Sequence, residues 1–216
     1  MTQSQFEIPA LFDYFATFLW AVSGAIVGMH KRYDFAGALV VALVASTGGS
    51  LLRDGLFLQQ TPPVLSNQWY IPIILLATLV VSLFRRRISR MGLVDRTISM
   101  IDAIGVPAFA LIGMQLSFAA GIPPPGVVLV GVVNGVGGGL LRDILVDDTP
   151  AALIPGQFYV SAAIFVCILF VILVQGFEVN KDIAGWIVIA TFFTVRMLSI
   201  RYNWRTKPIL PDSPSS

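Results

Sequence analysis

A chain of 216 residues that is 56% hydrophobic and 12% charged, with mean hydropathy +0.82, lies far outside the balance of a water-soluble domain. One histidine and one cysteine cannot build the usual His/Cys metal cluster or a Ser-His-Asp triad, so neither an enzyme nor a metal or other cofactor is expected. The net charge of +2 says less than where the charges lie, and no nucleic-acid partner is expected.

Apolar runs of about 17–25 residues cross a bilayer as helices. Seven are expected, at 10–29, 36–58, 70–84, 98–118, 126–147, 158–175 and 183–200. The first carries Asp13 and Gly24-x-x-x-Gly28; it has no basic region ahead of it and is not expected to be a removed signal peptide. The second carries Ser46 and Thr47, then Gly48-Gly49-Ser50-Leu51-Leu52-Arg53-Asp54. The third opens near Pro72, expected to kink it, and ends in Arg85-Arg86-Arg87 and Arg90. That basic cluster is read first as a topology signal and second as a site for anionic lipid head groups. The fourth holds Asp102 and Pro107, the latter also expected to kink its span. The fifth holds Gly131-x-x-x-Gly135, Asn134 and Gly137-Gly138-Gly139-Leu140-Leu141-Arg142-Asp143, followed by Asp147-Asp148, read as a solvated helix end. Cys167 in the sixth is expected as a small buried apolar residue, and Arg196 in the seventh either snorkels or joins the pathway. Residues 208–216, rich in Pro and Ser, are expected to be disordered.

Lys31, Arg32, Arg85, Arg86, Arg87, Arg90, Arg96, Arg201, Arg205 and Lys207 fall on one side of these spans, and only Lys181 on the other. The positive-inside rule then puts the amino terminus outside and the carboxyl terminus in the cytoplasm.

The offset of 89 that separates Asp13 from Asp102 also superimposes Gly24 on Gly113, Gly37 on Gly126, and each Gly-Gly-x-Leu-Leu-Arg-Asp run on its copy. After a one-residue slip Thr61-Pro62 falls on Thr149-Pro150. Each repeat has three spans, an odd number, so the second copy enters the membrane from the opposite side. The expected fold is an all-α integral membrane protein: a first three-helix repeat (8–90), an inverted second repeat (97–176) and a seventh helix (183–202). Inverted repeats are a common plan for transport proteins, with the pathway near the midplane.

A charged side chain near the bilayer centre costs roughly 2.5–3.5 kcal/mol on insertion scales, so a duplicated Arg-Asp beside glycines points to a built site. The helices are expected to break at Gly48-Gly49 and at Gly137-Gly138, freeing carbonyls toward a water-filled cavity. Isolated GxxxG pairs are read as packing contacts instead. Neighbours on a helix point about 100° apart, so Arg53 is not expected to pair with Asp54, nor Arg142 with Asp143. At about 1.5 Å rise per residue, Asp13 and Asp102 lie at depths similar to Arg53 and Arg142, giving expected Asp13–Arg53 and Asp102–Arg142 pairs, with helix-dipole roles for both acids as the alternative.

These two glycine motifs, the Thr-Pro after each and the three-plus-three-plus-one layout resemble the bacterial branch of the trimeric intracellular cation (TRIC) channels, whose repeated domain is also labelled a glycine transporter. The resemblance spans about residues 8–202. It implies a homotrimer in the bacterial inner membrane with a pore in each subunit, passing potassium as the main ion, or sodium, along glycine-kinked helices 2 and 5. Pore and hinge positions then map to Ser46, Thr47, Gly48, Gly49, Ser50, Asn134, Gly137, Gly138 and Gly139. Animal members carry Lys-Glu-Val where this chain has Arg-Asp-Gly at 53–55, so their phosphoinositide is not carried over. Two arginines repel a cation unless acids neutralise them. Arg53, Asp54, Arg142, Asp143, Asp13 and Asp102 are therefore read as latches or gates of the path. A secondary transporter for a small solute such as glycine, and a membrane scaffold without transport, are the competing readings.

Overall fold

The computed structural model describes residues 10–90, 94–154, 159–202 and 204. The expected 208–216 tail, and the side chains of Arg86, Arg87 and Arg90, lie outside the described residues. Among those described there is no strand.

Helix α1 (Ala10–His30) turns at Arg32, which takes a positive φ of 62°, into α2 (Phe35–Leu52). Asp34 starts α2 by accepting from the Gly37 amide at 2.8 Å, an N-cap that satisfies one of the four free amides of a helix start. Winding then loosens to a π-helix over Arg53–Leu58, which stops at Gln59 in the left-handed region. A single turn, α3 (Pro63–Ser66), precedes α4 (Tyr70–Arg90). Next come α5 (Val94–Ala119), α6 (Pro124–Leu145) and α7 (Val160–Val171), the last running into a π-helical Ile172–Gly176. Helix α8 (Lys181–Arg201) is capped by Asn180, which accepts from the Asp182 amide.

Eight α-helices are thus present among the described residues, one more than expected, because the 59–69 connection contains α3. Among the described residues four stretches are long and apolar enough to cross a membrane: Phe35–Leu58, Thr97–Ala119, Pro124–Leu145 and Lys181–Arg201. Tyr70–Arg85 and Val160–Gly176 are shorter apolar helices. Pro107 lies inside α5, whereas Pro72 sits in the first turn of α4, where its missing amide breaks no intrahelical bond.

Small residues set the packing. Gly24 and Gly28 bring α1 against Ala42 and Ala38 of α2, while Gly131 and Gly135 bring α6 against Met114, Ala110 and Val106 of α5, so both GxxxG pairs act as contacts between helices. The first half has a core of small side chains, including Ala21, Ala25, Ala42 and Ala77. The second has a bulkier one around Met114, Phe170 and Phe192, the last supplied by α8. Large apolar residues such as Leu83, Leu65 and Trp186 face outward.

The two halves meet where α2 crosses α6, and the contacts there are reciprocal. A Cβ on Gly49 would lie 2.3 Å from the Asn134 carbonyl oxygen, and a Cβ on Gly138 would lie 2.2 Å from that of Ala45. The 89-residue offset maps Gly49 on Gly138 and Ala45 on Asn134, so each contact is the other with its partners exchanged. Gly48 against Leu141 and Gly137 against Leu52 repeat the exchange. Such self-complementary contacts are produced by a twofold axis passing between the elements.

Candidate functional site

Sequence reasoning expects the helices to unwind at the glycines. Instead, α2 is regular through Gly48 and Gly49 to Leu52, and α6 is regular through Gly137, Gly138 and Gly139 to Leu145. The carbonyls there remain in a helical hydrogen-bonded segment. What the glycines provide is backbone-to-backbone approach, since any Cβ at Gly49 or Gly138 would overlap a carbonyl of the facing helix. The loosened winding of α2 comes later, at Arg53. Ser46 and Thr47 donate back to the carbonyls of Ala42 and Leu43 at 2.8 and 2.7 Å, which leaves their oxygen lone pairs as acceptors.

Beyond the crossing at each end lies a buried charged cluster. In the first, Arg53 Nε and Nη2 donate to Asp54 Oδ1 and Oδ2 at 2.7 and 2.6 Å, with Arg53 2% and Asp54 0% exposed. Gln60 Nε2 donates to Asp54 Oδ1 at 2.8 Å. Asp13 pairs not with Arg53 but with the Tyr70 hydroxyl, which donates to its Oδ2. Tyr14 packs edge-on to Tyr70 at 5.5 Å, and its hydroxyl accepts from Asn67 Nδ2 at 2.6 Å.

In the second cluster Arg142 Nε donates to Asp143 Oδ1 at 2.8 Å and Nη1 to Ser23 Oγ at 2.6 Å. The expected Asp102–Arg142 contact is present as a looser ion pair, 3.9 Å between Oδ1 and Nη1. The Ala151 amide donates to Asp143 Oδ2 at 3.0 Å. Arg196 is 3% exposed with its guanidinium 5.4 Å from the Tyr159 ring centroid, so it joins this buried cluster and does not snorkel.

Both Arg-Asp neighbours therefore pair, against the expectation drawn from their 100° separation. That angle describes Cβ directions, but an arginine is long enough to fold its guanidinium back over the adjacent carboxylate. Buried from water, each guanidinium is held by the nearest acid with hydrogen-bonding geometry. In the described parts of the clusters the first has one arginine for two aspartates, the second two arginines for two aspartates.

Tyr70 and Tyr159 are the members that sequence reasoning misses. They stand at the same 89-residue offset as Asp13 and Asp102, and that register was the signal available for finding them. Near the second cluster, Asp147 and Asp148 are both exposed, as expected of a solvated helix end, and Asp148 also binds Lys31 Nζ at 2.6 Å and holds that ammonium above the ordinary lysine range.

A helical membrane protein of two matched halves, with charge buried at both ends of their crossing, is the class these features define. A family model described as glycine transporter matches residues 10–86 and again 99–175. The chain belongs to that family, and its fold is that of the TRIC channels. A solved structure described in terms of conductance through TRIC cation channels is 28% identical, covers 96% of this chain and 100% of its own, and has a TM-score of 0.84. A TRIC orthologue from Rhodobacter sphaeroides is 26% identical over 89% of this chain and 97% of its own, with a TM-score of 0.81. A UPF0126 membrane protein of Deinococcus radiodurans is 36% identical over 152 residues, 70% of this chain and 69% of that protein. The inner membrane protein YadS of Escherichia coli K12 is 28% identical over 193 residues, 88% of this chain and 91% of that protein.

Proposed function

We propose that this chain is a monovalent cation channel, with potassium as its main ion, working as a homotrimer with a path through each subunit along α2 and α6. The observation that carries this reading is the reciprocal, glycine-mediated crossing of α2 and α6, in a fold shared with structures described as cation channels. The acceptor oxygens of Ser46, Thr47 and Asn134 supply ion contacts beside Gly48, Gly49, Ser50, Gly137, Gly138 and Gly139. The two halves are inverted copies, the amino terminus lies outside, and the Lys31–Asp148 end faces the cytoplasm of a bacterial inner membrane. Anionic lipid sits at the basic cluster that begins with Arg85.

The charged clusters act as latches. Arg53 and Arg142 are each neutralised by the neighbouring aspartate and held by a second group, Gln60 acting through Asp54 at one end and Ser23 and Asp102 acting on Arg142 at the other. A cation passes only if these pairs stay neutral or turn aside. Single-channel recording of Arg53→Ala and Arg142→Ala tests the latches: open probability changes by about tenfold, as expected for the loss of ~1.4 kcal/mol between two states. Conductance and open probability both unchanged from wild type would end the latch reading.

The description of the matching family favours one second reading, a carrier for a small solute such as glycine. A carrier shows saturable exchange of its solute, and a channel does not.

A further inference from the structure

The space between α2 and α6 lies on the axis that relates the two halves. Residues lining this crevice pair off at the 89-residue spacing: Trp20 with Phe109, Ala45 with Asn134, Gly49 with Gly138. A side chain that touches its own repeat mate sits on the relating axis. Trp20 and Phe109 meet in this way, with ring centroids 6.5 Å apart and planes inclined at 54°. Trp20 is also central in the 21 residues of α1. Trp20, Ala45 and Asn134 are each 2% exposed or less at this crevice.

Two buried polar atoms of the lining residues have no hydrogen-bond partner among the described residues. Trp20 Nε1 is a donor with no acceptor, and Asn134 Oδ1 is an acceptor with no donor. Asn134 is fixed by its Nδ2, which donates to the Phe109 carbonyl at 2.5 Å, leaving Oδ1 as the unused end of the amide. A buried donor or acceptor left without a partner costs free energy, so these two atoms are available to a ligand or a rearrangement that satisfies them. The indole lies on glycine: a Cβ at Gly105 would be 2.1 Å from Nε1, and one at Gly139 would be 3.1 Å from Cη2. It also lies under the Arg142 guanidinium, 5.9 Å from the ring centroid, so the ring touches both the crevice and the second charged cluster.

We propose that Trp20, closed against Phe109, is the constriction that blocks the α2–α6 crevice, and that Asn134 Oδ1 is the contact exposed to a partly dehydrated monovalent cation when the indole withdraws. Apolar constrictions stop ions by excluding water, so a small displacement of one large ring is enough to wet the path. The inference rests on the channel reading above and adds to it the residue that closes the channel.

The test is single-channel recording of the full chain in potassium chloride, comparing wild type with Trp20→Leu and Trp20→Phe. Trp20→Leu removes the indole and is expected to raise open probability by about tenfold. Trp20→Phe keeps an aromatic face with less bulk and is expected to raise it by a smaller factor, about threefold. If the leucine variant does not fold, the phenylalanine variant decides. A folded variant that opens no more often than a conducting wild type overturns the constriction and leaves the channel reading standing. A folded wild type that passes no cation current overturns the channel reading and the constriction with it.

Discussion

Arg53 and Asp54 are neighbours in sequence that are almost wholly buried and joined by two hydrogen bonds. Buried ion pairs offset their own desolvation poorly, but removing one partner strands the other charge, at a cost of about 3–5 kcal/mol. Arg53→Met should therefore lower the unfolding midpoint of the detergent-solubilised protein strongly. Arg53→Met combined with Asp54→Leu should recover at least half of that loss, as measured in the same thermal scan. A double variant as unstable as the single one would mean that packing, not charge, holds the segment. The presence of this pair was legible in the sequence as two intramembrane charges; its geometry was not. Helical Cβ directions send the search for a partner to Asp13, whereas side-chain length and the looser winding over Arg53–Leu58 settle it locally. Asp13 is then free to accept from Tyr70, a residue that carries no charge and attracts attention only once the 89-residue register is applied to every polar side chain.

At the scale of the element, the glycine motifs act through what they lack. Gly49 and Gly138 let the α2 and α6 backbones touch, and Gly48 and Gly137 accept leucine side chains from the facing helix. Helix association in lipid gains little from the hydrophobic effect and depends on this closeness. Gly49→Ala and Gly138→Ala should each destabilise by about 1–3 kcal/mol, because the added methyl meets a carbonyl oxygen that cannot move independently of its helix. Gly55→Ala, with nothing within 4 Å of the added atom, serves as the internal comparison and should change stability by about 0.5 kcal/mol or less. Thermal unfolding of the three variants separates contact from intrinsic helix propensity, which would affect all three alike. Glycine weakens an isolated helix, and that rule suggested breaks at both motifs. Tertiary contact overrides it: the same residues that lower propensity allow the approach that stabilises the helix in place.

Across the whole molecule, duplication explains most of what the sequence made legible. The offset of 89 placed two copies of one motif in register, and the structure turns that register into reciprocal contacts across α2 and α6. The asymmetries are where the halves have diverged: Arg196 of α8 adds a cation to the second cluster, and Trp20 faces Phe109 across the axis. The register could not place Arg196, because α8 has no counterpart in the repeat, whereas the Trp20–Phe109 pair stands at the 89-residue offset and becomes visible once that offset is applied to every large apolar side chain. The proposed cation path runs between the halves. It is tested most directly by reconstituting the purified chain and measuring potassium current in planar bilayers alongside counterflow of labelled glycine in liposomes. A channel gives steady cation-selective current with no saturable glycine exchange. Saturable glycine exchange without current would contradict it.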